Sequence, residues 1–442
     1  MFFNSSDKKT LKIVCLGCDK NLVDSEKILA QIKSLGYEIV PASSPADIML
    51  ITTCAFIEPA KQESIEEILA GVEKKRKGEI EKLAVFGCLV ELYLEELKRE
   101  IPEVDLWIKY SEISRIREIF QGGFSSGAIS LPEPRFLTTP FHISYLKIAE
   151  GCDRGCSFCV IPKIRGRFRS AREEELIQEA RFLEEKGVKE LNLVAQDLPE
   201  YGKDTGTSLV RLLEKLLKET SFAWLRLFYL NPEGITLDLI RLVGKEKRIC
   251  SYFDIPFQHI SEKILKQMRR AIGEKELRRL IESIRSLIPE AVIRGTALVG
   301  FPGEEEEDFE KLVRFVEWAE FDWLGVFAFS PEPFAPACRF PHQIPEQIAL
   351  RRKEELEMVW QNLAEEKNQA KIGRIYQVLV DNLNDLEYDV EGRSFEQGYG
   401  IDGVILLNGI FSPGEFYQVQ IIDSLGLDLV GKKLGEVGNE RI

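Results

Sequence analysis

Three cysteines stand close together in the chain, separated by three and then two residues. They are Cys152, Cys156 and Cys159, and the nearest other cysteines on either side are Cys88 and Cys250. Three thiolates close together suit a soft, thiophilic metal centre. An iron–sulfur cube normally takes four cysteine ligands, so three would leave one iron open to a further ligand. The motif therefore predicts a metal centre at which chemistry can occur.

Two alternative interpretations of this motif remain open. Free cysteines pack well as small hydrophobic residues, and three could also belong to a structural zinc site whose fourth ligand comes from elsewhere. However, a strand-like run at residues 143–149 directly precedes the motif, and glycine and phenylalanine stand beside its cysteines. This setting of a strand followed by a tight loop favours a cluster-binding loop over both alternatives.

The length and composition predict a water-soluble protein of several domains. A chain of 442 residues is too long for one ordinary core, so we expect two or three domains. Hydrophobic and charged fractions of 44% and 30% are typical of globular proteins. No apolar run is long enough to span a bilayer, and the first residues lack the long apolar core of a signal peptide. We therefore expect a cytoplasmic protein with no membrane contact.

Cysteine usage and net charge narrow the function further. Nine cysteines, unevenly clustered, argue against a disulfide framework and favour metal ligation in a reducing compartment. The net charge of −14 does not suit a general nucleic-acid binder, because neutralisation of phosphates drives that binding. A charge of this sign suits a basic partner instead.

Residues 11–120 alternate strand-like apolar runs with amphipathic helical segments. The runs are at residues 11–16, 47–52, 83–86 and 104–108. Alternation of this kind predicts a parallel α/β sheet.

Three more cysteines occupy equivalent places in this predicted sheet. Cys18, Cys54 and Cys88 each lie just beyond the C-terminal end of a strand. Because those ends share one edge of a parallel sheet, the three residues should converge. They predict a second iron–sulfur site with three protein ligands, and scattered loop cysteines are the alternative. The remaining cysteines are interpreted as structural: Cys15, Cys250 and Cys338.

A linker and a second α/β domain follow. Residues 121–140 are rich in Gly, Ser and Pro, which is typical of a linker between domains. Residues 141–367 then contain amphipathic helices that separate six strand-like runs, at 143–149, 191–195, 224–230, 252–257, 292–299 and 323–329. Six β/α units indicate a partial, open version of the eight-fold barrel, whose chemistry sits at the C-terminal ends of the strands. The motif of Cys152, Cys156 and Cys159 follows the first of these strands.

Polar residues at and within these strands are further candidates for a site. Gln196 follows the second strand, and His259 follows the fourth. Arg226 and Arg294 lie within strands, where an unpaired charge is costly. If they point inward, they should meet a carboxylate or a hydrogen-bonded ligand. A surface-facing or salt-bridged position is the alternative for each residue.

The tail, residues 370–436, has a different pattern. Short β-runs at 374–381, 403–407 and 417–422 are separated by glycine-containing turns, which predicts a small antiparallel barrel. From residue 370 to the end there are six Lys or Arg and twelve Asp or Glu, so the net charge is −6. An acidic barrel is poorly suited to bind phosphate groups, but it is suited to bind a basic protein.

The two cysteine triads, in this order, resemble those of the radical S-adenosylmethionine (SAM) methylthiotransferases over nearly the whole chain. That family has an N-terminal cluster domain, a radical SAM barrel and a C-terminal TRAM barrel. Within it, the segments at residues 17–26, 195–197 and 254–259 look like the type that modifies a ribosomal protein. The resemblance therefore implies an α/β fold with these three domains.

The resemblance also implies cofactors, partners and a reaction. It implies SAM as radical source and methyl donor, and flavodoxin or ferredoxin as electron donor. The substrate would be the β-carbon of an aspartate in the small-subunit ribosomal protein uS12, a very basic protein. The implied site residues are Cys152, Cys156 and Cys159 for a radical SAM 4Fe–4S cluster, Cys18, Cys54 and Cys88 for an auxiliary 4Fe–4S cluster, and Gln196, Arg226 and Arg294 for SAM.

Other functions stay open on the sequence alone. The same chemistry could act on a transfer-RNA adenosine near the anticodon. A non-catalytic protein with two clusters that carries electrons, or a zinc protein, would share the cysteines but would not cleave SAM. A radical SAM enzyme whose second cluster is only structural or relays electrons is a further alternative.

Overall fold

Three units follow one another along the chain in the order that the sequence predicts. The structure, a computed structural model, describes residues 9–124, 133–383 and 387–434. The middle of the predicted linker, residues 125–132, lies outside these ranges, as do residues 384–386 and 435–436 of the predicted C-terminal domain. The predicted α/β class is confirmed, with a parallel first sheet, a six-stranded central barrel and a small closed barrel at the end.

The first unit is a five-stranded parallel sheet flanked by helices. Its elements are β1 (Thr10–Cys15), α1 (Asp19–Ser34), β2 (Glu38–Ile39), β3 (Ile48–Thr53), α2 (Glu58–Arg76), β4 (Lys82–Gly87), α3 (Cys88–Glu100), β5 (Leu106–Lys109), a 3-10 turn (Tyr110–Arg115) and α4 (Ile116–Phe124). The strand order is β2-β1-β3-β4-β5. β3 is buried at every position, as expected for the aliphatic central strand of a sheet covered on both faces.

The central unit contains all six predicted strands. Its elements are β6 (Ile143–Lys147), β7 (Ala149–Glu150), α5 (Ile161–Arg165), β8 (Arg169–Ser170), α6 (Glu173–Glu185), β9 (Glu190–Val194), α7 (Leu209–Glu219), β10 (Trp224–Leu227), α8 (Leu237–Lys245), β11 (Tyr252–Gln258), α9 (Glu262–Met268), α10 (Glu274–Leu287), β12 (Val292–Val299), α11 (Glu306–Ala319), β13 (Trp323–Ala328) and α12 (Glu346–Gln369). Two parallel sheets, β10-β9-β6 and β11-β12-β13, make an open barrel. They meet where the Leu230 amide donates to the Asp254 carbonyl at 2.9 Å.

The third unit is a closed five-stranded barrel, where the sequence predicts a small antiparallel barrel from three strand-like runs. Its strands are β14 (Ile375–Leu383), β15 (Val390–Arg393), β16 (Ile405–Leu407), β17 (Phe416–Leu425) and β18 (Asp428–Lys433). The order around the barrel is β14-β15-β16-β18-β17. All pairs are antiparallel except β16 and β18, which run parallel because β17 carries the chain back between them.

One residue of the predicted linker, Arg135, contacts both of the first two units. Arg135 is buried, and its Nε donates to Glu26 Oε2 on α1 at 2.9 Å. Its Nη1 also donates to Glu179 Oε1 on α6 at 3.3 Å. The linker therefore ties a helix of the first unit to a helix of the second. None of the helices in the described ranges is both long and apolar enough to cross a bilayer.

Candidate metal centres

The three cysteines of the first unit lie at one edge of its sheet. Cys18 follows β1, Cys54 follows β3, and Cys88 is the first residue of α3, directly after β4. β3 pairs with β1 on one side and with β4 on the other. Three neighbouring parallel strands therefore bring together residues that are far apart in sequence.

The loops that carry these cysteines are held against one another. Gly17 has φ of +96°, and a Cβ added to it would lie 3.0 Å from the Cys54 Cβ. The buried Asn21 Nδ2 donates to the Thr53 carbonyl at 3.1 Å. The Cys88 Sγ lies 3.7 Å from Asn21 Oδ1. This close packing fixes the three loops around the Asn21 amide.

The chemistry of this triad fits an iron–sulfur cluster. All nine cysteines of the chain are unpaired. Burial raises the pKa of the Cys54 thiol, and it raises the pKa of the Cys88 thiol to about 12. Thiols in such a place need the positive charge of a metal to ionise. In the described ranges no three Cys, His, Asp or Glu side chains are placed to hold a single metal ion. The fit to a cluster rests on the donor set, because three thiolates can bind three iron atoms of a cluster and leave one iron open.

The second triad lies on the loop after β7. The Cys159 amide donates to the Cys156 carbonyl at 3.1 Å, and the Cys152 amide donates to the Gly166 carbonyl at 3.3 Å. Burial raises the pKa of Cys152 to about 11 and that of Cys159 to about 12. The loop is thus folded on itself with its three cysteines half-buried, which leaves them accessible to a cluster.

Arg154 anchors this loop to the ends of two barrel strands. Its guanidinium binds the carboxylates of Asp197 and Glu233, and its Nη2 lies 3.0 Å from Glu200 Oε1. Asp197 and Glu200 follow β9, whereas Glu233 follows β10. The cysteine loop is therefore held at the C-terminal ends of the barrel strands, where the predicted chemistry belongs.

Gln196 lies beside the cysteine loop, as the sequence predicts. Its Nε2 donates to the Oε1 of Glu150 at 3.0 Å, and Glu150 stands two residues before Cys152. The Gln196 Oε1 and the Asp197 Oδ1 are buried and have no hydrogen-bond partner among the residues described. Buried polar atoms are normally paired, so these two oxygens are available to a polar ligand such as SAM.

Arg226 and Arg294 have carboxylate partners within the chain. Arg226 Nε lies 2.7 Å from Glu190 Oε1, and Arg294 Nε lies 3.3 Å from Asp402 Oδ1. Arg226 also donates to the Phe395 carbonyl of the C-terminal barrel at 2.8 Å. Both arginines thus point inward, and both contact the third unit. Their predicted role in SAM binding stays a prediction.

The two cysteine-bearing edges face each other. Tyr229 lies just after β10, and its hydroxyl donates to Asp19 Oδ1 at 3.1 Å. Asp19 is the residue next to Cys18 in the chain. Lys147 Nζ lies 2.5 Å from Glu150 Oε2 and also binds Asp24 on α1. Buried polar side chains therefore lie between the two triads, and their hydrogen bonds and ion pairs join the first unit to the second.

Family models match each of the three units. A model described as uncharacterized protein family UPF0004 matches residues 10–109, the radical SAM superfamily matches residues 146–316, and the TRAM domain matches residues 372–433. The matches occur in the order that the sequence predicts, although the domain boundaries themselves stay predictions.

Relatives with similar sequences cover nearly the whole chain. A protein of Clostridioides difficile is 42% identical over 96% of this chain and 98% of its own length, and its name is ribosomal protein uS12 methylthiotransferase RimO. A protein of the same name from Aquifex aeolicus is 43% identical over 95% of this chain and 96% of its own. The chain belongs to the RimO methylthiotransferase family.

Solved structures share the fold of this RimO family member. The radical SAM methyltransferase TsrM from Kitasatospora setae, solved with cobalamin and a [4Fe-4S] cluster, has a TM-score of 0.56 at 13% identity. The match covers 75% of this chain and 77% of that one. The cobalamin-dependent radical enzyme OxsB has a TM-score of 0.50 at 12% identity, over 80% of this chain and 56% of its own.

Sequence reasoning missed the buried polar side chains between the two triads in this RimO family member. Four of them are Asn21, Asp24, Lys147 and Arg165. Asn21 and Asp24 stand three residues apart on α1, so they share a face of that helix. Two polar residues on a helix face that should pack inward indicate a buried polar contact, and this was the signal in the sequence. Their partners come from the second unit, and no local pattern indicates that pairing.

Proposed function

We propose that this protein is a radical SAM methylthiotransferase that modifies an aspartate β-carbon of ribosomal protein uS12. The observation that carries the proposal is the pair of facing cysteine triads, at the C-terminal ends of two neighbouring sets of parallel strands. The relatives named RimO, similar over nearly the full length, support the same reaction. The predicted domains at residues 11–120, 141–367 and 370–436 would supply the auxiliary cluster, the radical SAM core and the TRAM barrel.

The barrel triad would hold the cluster that binds SAM. Cys152, Cys156 and Cys159 supply three thiolates, which leaves one iron for SAM. When bound, the cluster and SAM supply a radical that can remove hydrogen from an unactivated C–H bond. Gln196 presents its buried Oε1 beside this loop, and that oxygen has no hydrogen-bond partner among the described residues. The chain's own contribution is to orient SAM and to exclude water.

The first triad, which belongs to the first unit, would hold the cluster that provides sulfur. Cys18, Cys54 and Cys88 again leave one iron without a protein ligand. Lys147 binds the carboxylates of Asp24 and Glu150, and so holds the two cysteine-bearing edges together. This fixed relation would keep the activated carbon of the substrate within reach of the sulfur. A second SAM would provide the methyl group.

The charge of the chain supports a basic protein substrate over transfer RNA. The whole chain has a net charge of −14, and the segment from residue 370 to the end contributes −6 of it. Phosphate binding needs the opposite sign. We therefore propose uS12 as the substrate, docked through this acidic tail. Flavodoxin or ferredoxin would be the electron donor, and a cytoplasmic location would follow from both partners.

The direct test offers both substrates to the same preparation. The protein is reconstituted anaerobically with iron and sulfide, then given SAM, a strong reductant, and either a uS12 peptide or a transfer-RNA anticodon stem-loop. Mass spectrometry should detect one added methylthio group on the peptide. Modification of the RNA alone would overturn the substrate assignment. Failure to cleave SAM at all would overturn the radical mechanism.

Cysteine variants separate the two proposed clusters. Cys156→Ala should abolish SAM cleavage, whereas Cys54→Ala should lose the thiolated product while SAM cleavage continues. Cys338→Ala is the matched control, because this thiol lies outside both triads, 3.5 Å from the Pro333 carbonyl. It should retain both activities. Thiolated product from Cys54→Ala would show that the first triad does not supply the sulfur.

A further inference from the structure

A single arginine reaches from one cysteine-bearing edge to the other. Arg165 Nη1 lies 3.0 Å from Asp24 Oδ2 on α1 and 3.0 Å from Glu150 Oε1 on β7. Its Nη2 binds Asn21 Oδ1 and lies 4.0 Å from the Cys88 Sγ. The guanidinium therefore contacts the first unit, including a proposed cluster ligand, while its backbone belongs to the second unit.

The position of Arg165 in the chain couples it to the other triad. It is the last residue of α5, six residues after Cys159. Val160 and Ile164, on the same short segment, belong to one apolar cluster with Cys88. The side chain of Arg165 is 1% exposed. The loop of the second triad thus inserts a desolvated cation next to the first triad.

The charge of Arg165 acts on the thiols of the first triad. The Arg165 Nη2 lies 4.0 Å from the Cys88 Sγ, and the guanidinium is buried together with that thiol. A fixed cation in a site without water interacts strongly with nearby negative charge. A reduced cluster carries one more negative charge than an oxidised one, so a neighbouring cation favours reduction. Net charge and contacts around the sulfur atoms are known determinants of cluster potential.

We propose that Arg165 is a positioning residue that raises the reduction potential of the auxiliary cluster and fixes Cys88 relative to the barrel loop. The inference rests on the proposed function, because it needs a cluster on Cys18, Cys54 and Cys88. It goes further by assigning to one residue of the radical SAM unit the control of a cluster held by the other unit. The contacts with Asp24, Glu150 and Asn21 hold this positive charge beside Cys88.

The test measures the potential of the auxiliary cluster alone. The full chain carries Cys152→Ala, Cys156→Ala and Cys159→Ala, so that only the first triad can hold iron. After reconstitution, a redox titration followed by electron paramagnetic resonance gives the midpoint potential. Adding Arg165→Met should shift this potential to a more negative value. Arg165→Lys, which keeps the charge, should return it toward the parent value.

A matched control separates charge from general disturbance of the interface. Lys61 is also a buried cation that joins the first unit to the second, with its Nζ 2.9 Å from Glu332 Oε2. Lys61→Met in the same triple-alanine background should leave the midpoint potential unchanged. A potential that shifts as much in Lys61→Met as in Arg165→Met would overturn the role of Arg165.

The remaining outcomes are also decisive. An assembled cluster whose potential is the same in Arg165→Met and in the parent would overturn this inference alone. If Arg165→Met loses the cluster while Arg165→Lys keeps it, the charge is needed to hold Cys88, which supports the inference. Loss in both variants would overturn it. If the parent itself assembles no cluster on the first triad, the proposed function falls, and this inference with it.

Discussion

The guanidinium of Arg393 lies 2.7 Å from the carboxylate of Glu190, and both side chains are buried. Glu190 is the first residue of β9 in the central barrel, whereas Arg393 ends β15 in the C-terminal barrel. Arg226 binds the same carboxylate, and Asp381 binds the same guanidinium. This buried network attaches the C-terminal barrel to the N-terminal ends of the central strands, opposite the cysteine loop.

Removing Arg393 should destabilise the protein strongly. Arg393→Met leaves Glu190 and Asp381 with less compensating charge in a buried site, and breaking a buried pair typically costs about 3–5 kcal/mol. The free energy of unfolding from a denaturant titration measures the loss. Arg76→Met is the control, because its ion pair with Glu73 is exposed and exposed pairs contribute little. Equal effects of the two substitutions would contradict this account of the interface.

The same network should make the free energy of unfolding depend on pH in the acidic range. Burial acts to raise the pKa of Glu190, but Arg393 and Arg226 outweigh burial and lower it to about 2. An unfolded glutamate has a pKa of about 4.3, so the unfolded state binds more protons between these values. Stability from this group is complete above pH 4.3 and is lost as the pH falls toward 2. Unfolding measured across this range should show a shallower pH dependence in Glu190→Gln than in the parent.

The strands and both triads were predictable from sequence because their signals are local. Aliphatic runs gave the six central strands, and the rule for parallel strand ends brought Cys18, Cys54 and Cys88 to one edge. Two strands of the C-terminal barrel were missed, Val390–Arg393 and Asp428–Lys433. Both are short and contain glycine, so the alternation that marks a strand is weak.

The partners of buried charges could not be predicted from sequence. An arginine within a strand signals that a carboxylate is near, but the sequence does not say which one. One partner of Arg294 is Asp402, from the third unit, and one partner of Lys147 is Asp24, from the first. Such pairs depend on how the units dock, which is decided by surfaces whose residues are scattered along the chain.

His259 should remain uncharged well below neutral pH. Burial lowers the pKa of its imidazole to about 3. Its Nδ1 accepts a hydrogen bond from the Ser261 amide at 3.0 Å, which a protonated ring could not do. The chain has three histidines, so its imidazole resonance can be assigned by its loss in His259→Gln. That resonance should keep the chemical shift of a neutral imidazole between pH 8 and pH 5, even though Glu304, 3.7 Å away, titrates in this range because burial raises its pKa to about 7. Conversion to the shift of a protonated imidazole would contradict the burial.

The same group should contribute to acid instability. An unfolded histidine has a pKa of about 6.5, so the unfolded state binds a proton that buried His259 does not. Stability from this group is complete above pH 6.5 and falls by about 1.4 kcal/mol for each pH unit below it, down to pH 3. Denaturant unfolding at pH 7 and pH 5.5 should show a smaller difference in His259→Gln than in the parent.

Gly151 directly precedes Cys152, and Gly155 directly precedes Cys156. Substitution by alanine should have a much larger effect at the first position than at the second. Gly151 and Gly155 both have positive φ, +75° and +63°. A Cβ at Gly151 would lie 2.1 Å from the Arg167 carbonyl oxygen, whereas a Cβ at Gly155 meets no atom within 4 Å. Gly155→Ala should therefore cost only the left-handed backbone strain, about 1–2 kcal/mol. Gly151→Ala must in addition push the loop away from the backbone of Gly166 and Arg167.

The iron content of the barrel triad measures that difference. In a background with Cys18→Ala, Cys54→Ala and Cys88→Ala, only Cys152, Cys156 and Cys159 can hold a cluster. Gly151→Ala should then bind much less iron after anaerobic reconstitution, because the clash displaces the residue next to Cys152. Gly155→Ala should retain nearly the parent iron content. Equal iron in the two variants would mean that the close contact with Arg167 does not position the cysteine loop.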